Sequence, residues 1–327
     1  MIVVTGGAGF IGSNIASALA AGGRRVVAVD RLRSGGKWRN LAKTELHDLV
    51  APEALDRWLE AEGRGVEAIV HMGAISSTTA TDEAETMRVN YELPLALWNW
   101  CATHGVRLIY ASSAATYGDG SQGFDDEFGQ NALARLKPLN LYGRSKHAFD
   151  REVARRIATG EKTPPQWAGL KFFNVYGPNE YHKAGQVSVA LKTWREAKEA
   201  GRAVLFRSHN PSYADGGQLR DFVWVGDCAE VVLWLLDTPR ANGLYNVGTG
   251  TARSFKDLAG AVFRALGREP AIDYVDTPLA IRDKYQYFTE ARMERLRAAG
   301  YARPFTTLED GVTAYVRDYL ETSDPYR

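Results

Sequence analysis

The chain begins Met1-Ile2-Val3-Val4-Thr5-Gly6-Gly7-Ala8-Gly9-Phe10-Ile11-Gly12, an apolar β-type run that passes through a glycine-rich turn into a helix-forming segment. No other stretch constrains the fold as much, because an uninterrupted apolar strand needs helices packed on both of its faces. The turn also leaves the unpaired N–H groups of a helix N-terminus facing outward, which is the arrangement that receives a phosphate. Gly6, Gly9 and Gly12 follow a Gly-x-x-Gly-x-x-Gly pattern, and Asp30 closes the next strand-type run near the offset where an acidic residue meets an adenosine ribose. Strand, turn, helix and acid in that order predict a dinucleotide site, whereas a bare glycine repeat would indicate only a tight turn.

Strand-type and helix-type runs alternate through the first half, as βαβ units do: strands at 2–5, 25–30, 68–72, 107–111 and 170–174, and helices near 11–20, 52–62, 89–101 and 141–156. The expected fold class is α/β, a doubly wound parallel sheet of the Rossmann type with a smaller mixed α/β substrate-binding lobe. Beyond Pro178 the texture changes, with Gly185, Gly201, Pro211, Gly216 and Gly217 punctuating short segments. Runs at 221–225 and 244–247 suggest a return to the main sheet, and helices are expected near 255–266 and 308–320. The division is therefore 1–178 plus about 221–250 for the dinucleotide domain, and about 179–220 plus 251–327 for the substrate lobe.

Forty Lys and Arg against thirty-nine Asp and Glu give a formal charge of +1, which supplies no electrostatic reason for a nucleic-acid or membrane partner. Only Cys101 and Cys228 are present, so neither a disulfide framework nor a cysteine metal site is expected. Apolar runs such as Val231 to Leu236 fall far short of the roughly 20 residues that cross a bilayer. Because strand-type residues begin at position 2, no secretory leader is expected, and the expected location is cytoplasmic.

Far downstream stands Tyr142-Gly143-Arg144-Ser145-Lys146, a phenol and an ammonium one helical turn apart. A free tyrosine titrates at roughly 10, and bringing it near 7 requires about 4 kcal/mol of preferential stabilisation of the phenolate. Lys146 and an oxidised nicotinamide ring would together favour that anion, so Tyr142 can take a proton from an alcohol while hydride leaves for the cofactor. Ser113, at the end of a strand, could hydrogen-bond the same oxygen. Read alone, Tyr142 and Lys146 would only decorate an amphipathic helix; the upstream nucleotide motif changes the balance. Cofactor choice is divided on residues alone. Asp30 suits a ribose 2′-hydroxyl, while Arg31, Arg33, Lys37 and Arg39 form either a solvated basic loop or a 2′-phosphate clamp.

The glycine pattern, the run Ala111 to Gly118 and Tyr-x-x-x-Lys, in this order, resemble the extended short-chain dehydrogenase/reductases of the NAD-dependent epimerase/dehydratase family. A closer resemblance, to the ADP-L-glycero-D-manno-heptose 6-epimerases, spans nearly the whole chain. It rests on Gly73 to Thr79, Pro138 to Gly143, Phe173 to Pro178, His182-Lys183, Arg220 to Val223 and Tyr285 to Thr289. The resemblance implies oxidation of the C6 alcohol of an ADP-linked heptose, rotation about C5–C6, and return of hydride to the other face, with no net redox change. It implies catalytic roles for Tyr142, Lys146, Ser113 and Lys183, the last as a second base.

For the cofactor it implies Gly6, Gly9, Phe10, Ile11, Gly12, Asp30, Arg31, Lys37, Met72, Gly73, Ala74, Ile75, Ser76, Asn90, Lys146, Val175 and Lys183. For the sugar nucleotide it implies Ser113, Asn174, Gly185, Lys192, Phe206, Arg207, Ser208, His209, Arg220 and Tyr285. Departures from the family pattern are Arg31, Met72, Gly185 and Lys192. The implied cofactor is NADP, with NAD as the alternative, no metal is expected, and the implied assembly is a homo-oligomer with five subunits as the suggested count. Ungrouped, Lys183 would be a solvated surface charge, and Arg220 would pair with Asp221 or Asp215. The alternatives are a UDP-hexose 4-epimerase or another sugar-nucleotide member of the same superfamily, and a non-catalytic nucleotide sensor.

Overall fold

Valine and isoleucine dominate the first strand because both of its faces are sealed. Ile2 and Val4 pack into one hydrophobic cluster and Val3 into another on the opposite side. The computed structural model describes residues 1–32, 36–282 and 285–327, so Arg33 of the basic loop lies outside the described residues. Strands β1 (Ile2–Thr5), β2 (Val26–Val29), β3 (Asp48–Val50), β4 (Ala68–His71), β5 (Arg107–Ser113) and β6 (Trp167–Phe172) enter one sheet in succession. The next four, β7 (Asn174–Tyr176), β8 (Ala203–Phe206), β9 (Leu219–Arg220) and β10 (Phe222–Trp224), lie outside it, and β11 (Gly243–Val247) returns. Its order is β11-β6-β5-β4-β1-β2-β3, every pair parallel. This is the doubly wound Rossmann-like sheet. Its winding reverses between β1 and β4, which opens a crevice at their carboxyl ends.

Helices α1 (Phe10–Ala21), α2 (Leu55–Glu62), α3 (Glu83–Met87), α4 (Leu93–His104), α5 (Gln130–Arg135) and α6 (Leu141–Ala158) are followed by α7 (Val189–Ala200), α8 (Val225–Asp237) and α9 (Phe255–Ala265). Ile15 and Leu19 of α1 and Val232 and Leu235 of α8 seal one face of the sheet; Leu97 and Trp98 of α4 and Phe149 and Val153 of α6 seal the other. A π-helical turn at Arg88–Glu92 joins α3 to α4. The smaller lobe has its own apolar clusters, built on α7, α9, β8 and the C-terminal helix Leu308–Ala314.

The expected return of 221–225 to the main sheet is corrected by the pairing. β10 joins β7 in a separate two-stranded parallel sheet, with Val223 opposite Val175. The chain bends at Phe173, whose N–H donates to Val247 while that of Asn174 donates to Asp221, so β7 leaves the sheet that β6 occupied. Strand alternation then sends Val223 into the main core and Phe222 into the lobe cluster, and this pair of short strands is the seam between the two. The third strand, β3, is absent from the expectation because its Asp48-Leu49 start is exposed and carries no apolar run.

Candidate active site

The glycine turn is shaped first by its own packing. Gly6 sits at φ 65°, and a Cβ there would stand 2.6 Å from the Gly73 nitrogen; a Cβ on Gly12 would stand 2.1 Å from the Gly6 carbonyl oxygen. Gly9 differs, because its nearest neighbour would be 3.0 Å away and its missing side chain leaves space toward the cavity. It is the N-cap of α1, with no side-chain cap and no acidic residue in the first turn, so the helix N-terminus is open to an anion. Asp30 accepts the Ala8 N–H at 2.9 Å and the Lys37 ammonium at 2.5 Å, which fixes the carboxylate at the end of β2. These features fit a dinucleotide: an anion-receptive turn, an acid at the neighbouring strand end, and room between them.

One cavity of about 1270 Å³ gathers Gly6, Gly9, Phe10, Ile11, Gly12, Asp30, Arg31 and Lys37 with Met72, Gly73, Ala74, Ile75 and Ser76. Ser113, Tyr142, Lys146, Val175, Lys183 and Gly185 line the same space. Asn90 stands behind the wall, fully buried on the π-helical turn. It exchanges two 2.9 Å hydrogen bonds with the backbone of Ile75 and donates to the Ser145 hydroxyl, which in turn donates to the Tyr142 carbonyl. A single amide thus ties the β4 loop to α6. Thr78, Thr79, Arg88 and His182 also line the cavity, and no contiguous motif pointed to Arg88.

Tyr142 and Lys146 share a face because α6 starts one residue earlier, where Asn140 accepts the Gly143 N–H at 2.8 Å. Burial raises the Tyr142 phenol above its ordinary value; its hydrogen bond with Ser113 pulls it down, and the Asp150 carboxylate raises it further. Lys146 is lowered by burial to about 8, with Asp150 opposing. Burial thus disfavours the charged forms of both Lys146 and Tyr142 in the chain by itself, and the expected acidification of the phenol rests on Lys146 and an oxidised nicotinamide acting together. Lys183 approaches from the segment after β7, its Nζ 5.0 Å from the centre of the Phe10 ring. Desolvation lowers it, and Glu180 partly opposes that fall.

Of the remaining positions, Phe206, His209, Arg220 and Tyr285 gather into a second group outside the lining of this cavity. The Arg220 guanidinium lies 5.5 Å from the Tyr285 ring centre and 5.6 Å from that of Phe255, and bonds the carbonyls of Leu219 and Gln286. It pairs with neither expected acid: Asp221 accepts from Thr249, Gly250 and Ala291, and Asp215 accepts the Ser208 N–H. Phe206 meets Tyr285 edge-on at 6.3 Å, and the His209 N–H reaches the Tyr287 hydroxyl at 3.0 Å. Arg207 and His209 are exposed, as is Asn174 on β7. Lys192 binds the Val204 carbonyl at 3.2 Å and Glu196 at 3.4 Å, on the outer surface of α7. Gln286 joins the two groups by donating to the Gly118 carbonyl, at the end of the segment that follows Ser113.

Among the described residues no cluster of His, Cys, Asp and Glu could hold a metal ion, and no helix is long and apolar enough to cross a membrane.

Residues 2–248 match the NAD dependent epimerase/dehydratase family. A curated ADP-L-glycero-D-manno-heptose-6-epimerase of Nitratidesulfovibrio vulgaris is 50% identical over the full length of both chains, and one of Fusobacterium nucleatum is 42% identical, again over both entire chains. The crystal structure of the Helicobacter pylori ADP-L-glycero-D-manno-heptose-6-epimerase superposes with a TM-score of 0.79 at 28% identity, covering 97% of this chain and 95% of that one. The Thermus thermophilus UDP-glucose 4-epimerase, solved with NAD, gives a TM-score of 0.73 at 27% identity over 95% and 96% of the two chains. Since the family's pattern spans residues 2–248 and a relative is 50% identical over both entire chains, the chain belongs to the NAD dependent epimerase/dehydratase family.

Proposed function

We propose that the protein interconverts ADP-D-glycero-D-manno-heptose and ADP-L-glycero-D-manno-heptose by epimerisation at C6. One observation carries the reading: two ionisable side chains from unrelated segments, Tyr142 on α6 and Lys183 after β7, open onto the same cavity as the nucleotide turn. An oxidised nicotinamide bound there would supply a hydride acceptor that later serves as the donor, and a positive charge that favours phenolate over phenol. Gly9 and the open end of α1 would hold its pyrophosphate, Asp30 and Lys37 its adenosine ribose, and Lys146 the nicotinamide ribose. Tyr142 takes the proton of the C6 hydroxyl as hydride leaves carbon, and Ser113 hydrogen-bonds the resulting carbonyl oxygen. Once the exocyclic group has turned about C5–C6, the oxygen would face a different wall, where Lys183 donates its own proton to that oxygen as hydride returns to carbon, and passage of the Tyr142 proton to Lys183 through solvent restores both groups.

Arg220 and Tyr285, with Phe206, Arg207, Ser208 and His209 beside them, would hold the ADP portion, a planar guanidinium being suited to two phosphate oxygens at once. Asn174 and Gly185 would border the heptose. In this reading residues 1–178 plus about 221–250 hold the cofactor, and about 179–220 plus 251–327 hold the sugar nucleotide. The preferred cofactor is NADP. Lys37 covers the Asp30 charge that would repel a 2′-phosphate, and Arg31 lines the cavity next to it, although its guanidinium is shared with Glu53.

Incubating the purified protein with each epimer separately, without added cofactor, tests the function. Both reactions are expected to reach the same mixture by chromatography, and failure to convert either epimer overturns the proposal. Denaturing the protein and identifying the released nucleotide tests the cofactor; NAD in place of NADP would remove the 2′-phosphate assignment.

A further inference from the structure

Three segments that line the cavity from different parts of the chain are held together by a pair of buried asparagines behind it. Asn40 lies on the short helical segment Gly36–Leu41 that also carries Lys37, and Asn179 follows β7, four residues before Lys183. Both are sealed from solvent, at 1% and 0% exposure. Their bonding is reciprocal: the Asn40 amide donates to the Asn179 carbonyl at 3.0 Å, and the Asn179 amide donates to the Asn40 carbonyl at 3.3 Å. Each also reaches the glycine-turn segment, Asn40 through the Ala8 carbonyl at 2.9 Å and Asn179 through the Ser13 hydroxyl at 3.0 Å. Asn40 further contacts His182 Nδ1 at 3.2 Å, next to Lys183 itself.

Asn179 is the only non-glycine residue with positive φ among the described residues, at 73°. That conformation is disfavoured for an L-residue and tolerated best by asparagine, so its use at this point is imposed by what the turn must accomplish. The turn carries the chain from Pro178, whose carbonyl accepts from Asn14 of α1, back toward the cavity where Lys183 emerges over Phe10. The Asn179 side-chain oxygen is occupied as well, accepting the Arg327 N–H at 3.0 Å. Removing either amide leaves a buried carbonyl without its donor and cuts one of the two reciprocal hydrogen bonds that tie the segment bearing Lys183 to the segment bearing Lys37.

We infer that Asn40 and Asn179 are positioning residues that set the Lys183 ammonium for its proton transfer by locking its segment to the adenosine end of the cofactor site. Neither residue lines the cavity, so both act through the groups they hold. The inference deepens the proposed function and rests on its reading of Lys183 as the second proton-transfer group.

Turnover at saturating sugar nucleotide and cofactor is measured for Asn40→Ala and Asn179→Gly, each in the wild-type and the Lys183→Met background. Asn179→Gly accommodates the positive φ while removing the side-chain amide, its bond from Arg327 included, which keeps the test available should Asn40→Ala fail to fold. Each substitution is expected to lower kcat about tenfold or more in the wild-type background and less than about twofold when Lys183 is already methionine, because residues acting through one group are not additive. Equal losses in both backgrounds, or unchanged turnover in the wild-type background, overturn the positioning role while leaving the epimerase reading intact. Full turnover in Lys183→Met alone overturns both the second-base reading and the inference built on it.

Discussion

The two ends of the site are built by different means. At the nucleotide end, position is set mostly by backbone against backbone, Gly12 against Gly6 and Gly6 against Gly73, with the Asp30 carboxylate accepting the Ala8 N–H beside them. At the lobe end, position is set by side chains on side chains, with Arg220 between two aromatic rings and Tyr285 against Phe206 and Tyr287. The first end tolerates almost no added atom, because a carbonyl oxygen 2.1 Å from a new Cβ cannot yield without moving the turn. The second is adjustable, since rings and an arginine stem can repack. The contrast matches the work that the proposed function asks of each end. A cofactor retained through a cycle of oxidation and return needs a fixed seat, while a sugar nucleotide must enter, turn its exocyclic group and leave.

Substitutions at the two ends sharpen the contrast, beginning with the largest effect. Tyr142→Phe removes the phenolic proton acceptor and keeps the ring, so kcat is expected to fall by about 10²–10⁴ with little change in thermal midpoint. Full activity in that variant would dismiss the phenol from the mechanism.

The nucleotide end also carries a buried ammonium, and its titration is readable as stability. Burial lowers Lys146 to about 8 in the folded chain from an ordinary 10.5, so between those values the unfolded chain binds more protons. The penalty for burying the charge is therefore complete below about pH 8 and gone above about pH 10.5, a rise of roughly 3 kcal/mol in this group's contribution. Urea unfolding of the cofactor-free protein at both ends of this window should show that rise relative to Lys146→Met. Parallel pH profiles for the two proteins would mean that Lys146 keeps its ordinary pKa.

At the lobe end, Arg220→Lys keeps a charge but loses the planar fork, and the KM for the ADP-sugar is expected to rise about tenfold, or ~1.4 kcal/mol, with kcat within about twofold. A fall in kcat without a change in KM would move Arg220 from substrate binding to the chemistry. The smallest effect is expected at Lys192, whose exposed ammonium is spent on Val204 and Glu196. Lys192→Ala should alter KM less than about twofold, since exposed pairs of this kind contribute ~0.2–1 kcal/mol. A larger change in KM would return that lysine to the sugar-nucleotide wall.

Much of the nucleotide end was legible in the sequence because its parts are contiguous. β1, the glycines and α1 occupy twenty consecutive positions, from Ile2 to Ala21, and each element follows from the preceding one by local rules of strand, turn and cap. Tyr142 and Lys146 were legible for the same reason, since a helical turn fixes their common face. The assignment of Phe206, Arg220 and Tyr285 to one site came from resemblance to a family, because no spacing rule connects positions so distant along the chain. Their meeting depends on the bend at Phe173, on the β7–β10 pairing and on the Gln286 bridge to Gly118.

The sequence by itself determined the parallel sheet, the nucleotide turn and the Tyr-Lys face, all of which rest on periodicity and backbone conformations encoded within a few residues. Tertiary structure alone decided that 221–225 forms a seam with β7, that Arg220 rests on aromatic rings and not on a carboxylate, and that Asn40 and Asn179 interlock behind Lys183. It also decided the protonation balance of Tyr142 and Lys146, because burial is a property of everything packed around a group and no stretch of neighbouring residues contains it.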